Sequence, residues 1–165
     1  MRVTENEILV SIGMLQPSES GGHEAWLATF RHAIEIRPRY CETDQVGHVS
    51  NTSYALYLEQ ARLAYARAAR VDDPAGRLSL DHLPAEITTR FVAPCFYDEV
   101  LRVLTRCLRL GHSSLELEQA IVSSERALRT LSRTVMVSYD FDAQRSRPWS
   151  AEQRAGLREL EEREL

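Results

Sequence analysis

The residues best equipped for chemistry lie between Arg39 and Tyr54, where Glu42, Asp44, Gly47, His48, Ser50 and Asn51 crowd into one short run. Asp44 supplies a carboxylate, Gly47 a turn and His48 an imidazole, and Asn51 stands where a long helical periodicity begins. The first backbone N–H groups of a helix have no partner inside it and sit at the positive end of its dipole. They therefore favour an oxyanion or a polarised carbonyl oxygen. A carboxylate held beside such donors can act as base or nucleophile on that same carbonyl. The chemistry this points to is acyl transfer.

Positioning these groups requires a strand before them and a helix after them. Ala33 to Arg37 read as a strand, with Pro38 near its end at an edge or a bulge. From Asn51 to about Ala69 the apolar positions Tyr54, Leu58, Ala61, Tyr65 and Ala68 recur at three- and four-residue steps, with Ser50 or Asn51 suited to the N-cap. Four strand-like segments follow, at about 85–91, 100–110, 114–123 and 128–141. Alternation groups Leu101, Val103, Thr105 and Cys107, then Leu115, Leu117 and Ile121, then Leu131, Val135, Val137 and Tyr139. With only one long helix available, its apolar stripe must be buried against the sheet. The expected class is α+β: an antiparallel sheet wrapped around one central helix.

The ends read differently. Residues 1–28 form an extension whose Pro17 to His23 stretch breaks regular structure, so flexibility is expected. The main domain is set at 29–145. Over 146–165 a charged, solvent-facing helix is expected, with Ser150 as N-cap, Gln153 as its capping-box partner and Trp149 as a hydrophobic staple.

Composition narrows the function classes. The net charge of −4 gives no nucleic-acid footprint. All of the 20 basic residues are arginine, which excludes a Schiff-base or P-loop lysine. Cys41, Cys95 and Cys107 have no paired spacing, and His23, His32, His48, His82 and His112 are scattered, so neither a disulfide framework nor a metal site is expected. No apolar run suits a secretory leader or a membrane span. The expectation is a cytoplasmic protein that needs no cofactor and contacts no membrane. Nucleophile elbows, zinc-protease helices and dinucleotide loops are all missing.

The element order and the motif Tyr40-Cys41-Glu42-Thr43-Asp44, Gly47-His48-Val49-Ser50-Asn51 and Tyr54 resemble the hotdog-fold thioesterases, in particular the 4-hydroxybenzoyl-CoA thioesterase-like branch. The run Tyr57 to Arg62 is similar to that family's early helix. Phe91 to Pro94, Tyr97 to Val100 and Gly111 to Leu115 are similar to its later turns. The resemblance covers about residues 30–155. Ser50-Asn51 departs from the two asparagines common in relatives, which touches substrate positioning rather than fold.

The resemblance implies an acyl-CoA thioesterase with Asp44 as base or nucleophile, both roles remaining open. His48 is either a helper for substrate or water or a loop histidine. Asn51 is first an N-cap that shapes the oxyanion donors. Gly47, Val49 and Tyr54 are expected to line the site. Glu59 is either a second acid or a partner of Arg62, the pairing being favoured. Coenzyme A phosphates make Arg90, Arg109 and His112 candidates for contact, from their own or a neighbouring subunit. A homodimer or homotetramer with sites between subunits is implied. Two rival readings stand beside this one: a hotdog module that binds acyl-CoA or acyl carrier protein without hydrolysis, and a thioesterase acting on acyl carrier protein.

Overall fold

The computed structural model describes residues 22–71 and 82–165. Most of the extension read as flexible, and the loop opening at Asp72, fall outside the described residues.

The chain order is a short helix Gly22–Leu27, β1 His32–Ile36, a 3-10 turn Tyr40–Glu42 and the central helix Asn51–Ala68. Then come β2 His82–Phe91, β3 Leu101–Leu110, β4 Ser114–Ser123, β5 Leu128–Asp140, β6 Arg145–Ser146 and a C-terminal helix Ala151–Glu161. The five long strands pair antiparallel in the order β1-β3-β4-β5-β2, and β6 pairs with β5. This is the expected α+β hotdog arrangement.

The central helix is rich in Ala and Leu, which lose little side-chain freedom in a helix. Ser50 precedes it in extended conformation, and Arg70 at φ 54° turns the chain away after it. Tyr54, Leu58, Ala61 and Tyr65 are buried as the periodicity required, joined by Ser53, Tyr57 and Ala66. Ala68, grouped with the stripe from sequence, is exposed, and Ala69 is buried in its place. The helix lies over β1 and β3.

Apolar side chains gather around both ends of that helix. Near its start, Tyr54, Tyr57, Leu58 and Ala61 pack with Val49, Cys95, Leu101, Val103 and Ile121. Near its end, Tyr65, Ala66 and Ala69 pack with Cys107, Leu117, Met136, Trp149 and Leu157. The C-terminal helix is therefore not simply solvent-facing. Its capping box is present, with Gln153 N–H donating to Ser150 Oγ at 3.1 Å and Ser150 N–H to Gln153 Oε1 at 2.9 Å. Leu157 is completely buried, and the buried Glu161 carboxylate accepts from Tyr65 Oη and Cys107 N, both at 2.6 Å. Charge along the helix hid one narrow apolar face.

β5 departs from its apolar alternation towards its end. Leu131 is fully buried, but Val135, Val137 and Tyr139 are half-buried, whereas Thr130, Ser132, Thr134 and Ser138 are fully buried. Register explains the choice: Thr130 and Ser132 pair with Ile121 and Gln119 of β4, on the face that the helix covers at β3. The opposite face of the sheet is capped by the last residues of the N-terminal extension, which are folded. Trp26 and Leu27 pack on Leu104, Ala120, Val122, Leu128 and Leu131. Trp26 Nε1 donates to Glu118 at 3.3 Å, Arg106 Nε donates to the same carboxylate at 2.8 Å, and the Arg106 guanidinium lies 4.9 Å from the Phe30 ring centroid.

Two outcomes follow from this packing. A methyl group on Gly156 would press into the carbonyl of Ala69, where the two helices meet. Overpacking against backbone costs about 1–3 kcal/mol, which exceeds the roughly 1 kcal/mol that alanine gains over glycine in a helix. Gly156→Ala should therefore lower the urea midpoint of unfolding; an unchanged or raised midpoint would contradict the close approach.

The second outcome concerns alkali. Burial pushes the Cys95 thiol up to about 11 and the Cys107 thiol up to about 12, while Cys41 is exposed. The unfolded chain gives up these protons near pH 9, whereas the folded one keeps them. Stability is then full below about pH 9 and is lost as pH rises through the folded values. Denaturant midpoints should fall from about pH 9 to 11. At about pH 8, below the ordinary thiol value, a disulfide reagent should titrate Cys41 alone until the protein is unfolded.

Candidate active site

Strand β1 ends at Ile36, and the 3-10 turn Tyr40–Glu42 redirects the chain into the loop that carries Asp44. The loop closes on itself as a tight hairpin. Asp44 N–H donates to His48 O at 2.8 Å and Gly47 N–H to Asp44 O at 3.1 Å, with Gly47 at φ 80°, a conformation that only glycine adopts without strain. Thr43 bridges to Val49 and His48 to Phe96, which joins the hairpin to the segment after β2. The His48 ring meets the Phe96 ring edge-on at 5.3 Å between centroids.

The Asp44 carboxylate has a double allegiance. Its Oδ1 accepts from Val46 N at 2.9 Å and His48 N at 3.1 Å, the Asx-turn role that such a residue takes in any loop. Its Oδ2 takes no hydrogen bond from the described residues, and the side chain is exposed. One oxygen is structural and the other is available.

Beyond the loop, Val49 N–H donates to Cys95 O at 2.9 Å and Ser50 N–H to Glu42 O at 2.8 Å, which fixes where the central helix begins. Ser50 caps it by backbone conformation alone; its hydroxyl pairs with Thr52 Oγ1 at 3.1 Å. Ser53 N–H turns back to Ser50 O at 2.9 Å. The amides of Asn51 and Thr52 make no hydrogen bond to the described residues, and both residues are exposed. Of the donors read from sequence as spanning Asn51 to Tyr54, Ser53 N–H is taken up by Ser50 O, which leaves those of Asn51 and Thr52 at the open start of the helix.

Behind the cap sits a network centred on the buried Glu42. Tyr57 Oη donates to Glu42 Oε2 at 2.8 Å, and Arg39 Nη2 holds Glu42 Oε1 at 2.6 Å. Burial alone would raise the Glu42 carboxyl, but the bonds from Arg39 and Tyr57 outweigh it and hold the group below the usual carboxylate value. Tyr54 Oη accepts from Cys95 N at 3.0 Å, and its ring meets Phe91 edge-on at 5.1 Å. Burial pushes the hydroxyls of both tyrosines well above their ordinary value, so they remain protonated donors or neutral surfaces.

Together these elements enclose an open cleft of about 550 Å³. Its walls are Asp44, His48, Val49, Ser50, Asn51 and Tyr54 on one side and Phe91, Val92, Ala93 and Pro94 on the other. The structure thus brings together Asp44, His48, Val49, Asn51 and Tyr54, with Gly47 turning the loop beside them. The second wall was missed as a lining; the signal available was the run Phe91-Val92-Ala93-Pro94, where an edge strand ends in apolar residues and a proline.

The remaining candidates stand elsewhere. Glu59 is exposed on the central helix and acts on Arg62 through its charge, while Arg62 Nη1 donates to Gln119 Oε1 at 3.1 Å. Arg90 neighbours the cleft-lining Phe91 along β2, so strand alternation sends it to the other face, where it pairs in register with Leu131. Arg109 and His112 lie at the end of the β3–β4 hairpin, beside the C-terminal helix, whose Arg154 bonds the His112 carbonyl at 3.2 Å. The central helix alone spans about 27 Å at 1.5 Å per residue, and these two residues are at its far end. Within one protomer none of the three reaches the cleft. Among the described residues no group of three or more His, Cys, Asp or Glu is placed to hold a metal ion.

Comparison with known proteins agrees with this fold. No curated protein sequence matches the chain. Among solved structures, the fold is similar to a thioesterase from Thermus thermophilus in complex with coenzyme A and Zn, at 24% identity and a TM-score of 0.74, covering 83% of this chain and 98% of that one. A predicted thioesterase from Bacillus stearothermophilus is 27% identical with a TM-score of 0.69, covering 78% of this chain and 94% of its own. DHNA-CoA thioesterase from Staphylococcus aureus is 22% identical with a TM-score of 0.63, covering 70% and 78%. The family model described as the thioesterase-like superfamily matches residues 38–157, from the turn before the Asp44 loop to the C-terminal helix. The chain belongs to the thioesterase-like superfamily.

Proposed function

We propose that the protein is an acyl-CoA thioesterase, in which water and an acyl-CoA give a carboxylic acid and free coenzyme A. The observation that carries this reading is the pairing, on one wall of the cleft, of a carboxylate oxygen and a helix start whose amides have no partner among the described residues. The thioester carbonyl oxygen takes hydrogen bonds from the N–H groups of Asn51 and Thr52, which draws electrons from the carbonyl carbon and stabilises the oxyanion. Asp44 Oδ2 then acts in one of two ways. As a base it removes a proton from water, whose oxygen adds to the carbonyl carbon before the C–S bond breaks and the thiolate leaves. As a nucleophile it adds directly, expels the thiolate and forms an anhydride that water opens. His48 orients the substrate or the water, Gly47 and Val49 allow the acyl group a close approach, and Tyr54 with Phe91 forms its apolar wall.

Superfamily membership and the coenzyme A bound to the Thermus relative support this substrate class. A homodimer is part of the proposal. β2 is an edge strand that exposes Leu83, Ile87 and Phe91, which favours pairing with a second copy. Arg90, Arg109, His112 and Glu59 take part in coenzyme A binding only across such an interface. The exposed and buried free thiols fit a reducing cytoplasm.

The test is free-thiol release from a panel of short, long, branched and aromatic acyl-CoAs. Asp44→Asn keeps an oxygen for the Val46 and His48 amides, so the loop should fold while the charge is lost. Its kcat should drop by about 100-fold or more with the unfolding midpoint little changed. A mutant with the wild-type rate would sink the mechanism. No turnover on any substrate, with wild type and mutant alike stabilised by acyl-CoA, would point to a binding module instead.

A further inference from the structure

We propose that Glu42 is a positioning residue for this site, because its side chain and its main-chain carbonyl together tie the Asp44 loop to the first two turns of the central helix. The inference rests on the thioesterase reading above. Every acceptor on this residue is engaged. Oε1 accepts from Arg39 Nε at 3.0 Å and Nη2 at 2.6 Å, and Oε2 accepts from Arg39 N at 2.7 Å and Tyr57 Oη at 2.8 Å. The main-chain oxygen accepts from Ser50 N at 2.8 Å and Ser53 Oγ at 3.1 Å. One buried residue thus joins the chain before the loop (Arg39), the cap of the helix (Ser50), its first turn (Ser53) and its second turn (Tyr57).

Little slack separates this knot from the chemistry. Only Thr43 lies between Glu42 and Asp44, and it is itself held: its N–H and its hydroxyl donate to Tyr40 O at 3.2 and 2.8 Å. The position of the Asp44 carboxylate relative to the Asn51 and Thr52 amides is therefore set through Glu42. All the groups facing the Glu42 carboxylate are donors. A carboxylate, an acceptor at both oxygens, satisfies them, whereas an amide would turn its own N–H groups towards Arg39 or Tyr57. Reactions of this kind are sensitive to such placement: a misplacement of about 1 Å can cost on the order of 100-fold in rate.

Three variants separate positioning from mere stability. Glu42→Gln should lower kcat by about tenfold to 100-fold while KM stays within about threefold of wild type. Tyr57→Phe removes one donor and should lower kcat less, and the double variant should fall little below Glu42→Gln, since both changes cut one network. Leu157→Ala opens the core at the other end of the helix and should lower thermal stability while leaving kcat unchanged. Amide hydrogen exchange supplies a readout independent of turnover. At matched global stability, the Val46 and His48 amides should exchange faster in Glu42→Gln than in Leu157→Ala. Wild-type kcat and wild-type exchange in Glu42→Gln, with Asp44→Asn inactive, would overturn the inference and leave the thioesterase reading standing. If the wild-type protein hydrolyses no thioester, that reading fails, and the exchange comparison alone decides whether Glu42 holds the loop.

Discussion

The start of the central helix is held in place by two main-chain hydrogen bonds, from Val49 to Cys95 and from Ser50 to Glu42. Because these bonds come from residues before the helix, the next two amides emerge without partners among the described residues, and Asn51 lines the same cleft as Asp44. A helix start with a side-chain cap would offer fewer free donors. Here Ser50 points its hydroxyl to Thr52 Oγ1 rather than to the helix amides, so capping does not compete with a ligand. Much of the remaining structure keeps this one junction rigid.

The core explains how. The sheet grips the helix near both ends, through Leu58 and Ala61 on one side and Tyr65 and Ala69 on the other. Leu157 and Trp149 of the C-terminal segment close the far end, and Glu161 adds a buried anchor to Tyr65 and to the β3 backbone. Sliding or tilting of the whole helix would break contacts along its length, while the fine placement of its first amides rests on the local bonds of Val49, Ser50 and Ser53. The short helix Gly22–Leu27 gives the sheet an apolar cover on its outer face, over Leu104 and Leu131. Most of β3 and β4 is then covered on both faces, whereas β2 at the edge of the sheet stays exposed.

The legible part of this protein was whatever obeys a period or a local rule. The three- and four-residue recurrence fixed the central helix at Asn51, and period-two alternation marked three of the four later strands with small shifts at their ends. The Ser150–Gln153 capping box was readable because it is a local pattern with a local cause. Other features depend on distant partners, and these were not readable. Thr130 and Ser132 are buried because β4 presents Ile121 and Gln119 beside them, which no window of β5 reveals. Arg106 and Glu118 are buried because Trp26, Thr29 and Phe30 cover them from a distant stretch of chain. At the site, the motif brought Asp44, His48, Val49, Asn51 and Tyr54 together, since a loop and a helix start are contiguous in sequence. Arg90, Arg109 and His112 were chosen for charge at strand ends, and charge alone carries no information about which face or which end a strand presents.

The proposed catalysis depends on one spatial arrangement, in which a thioester carbonyl is received by the amides at the start of the central helix with Asp44 beside it. A crystal structure of Asp44→Asn with an acyl-CoA analogue, its sulfur replaced by a methylene group, would reveal that arrangement directly. The ketone oxygen should lie about 2.7–3.1 Å from the Asn51 or Thr52 amide nitrogen, with the acyl group against Tyr54 and Phe91. A ketone oxygen turned away from both amides, or an acyl group lodged outside the cleft, would refute it.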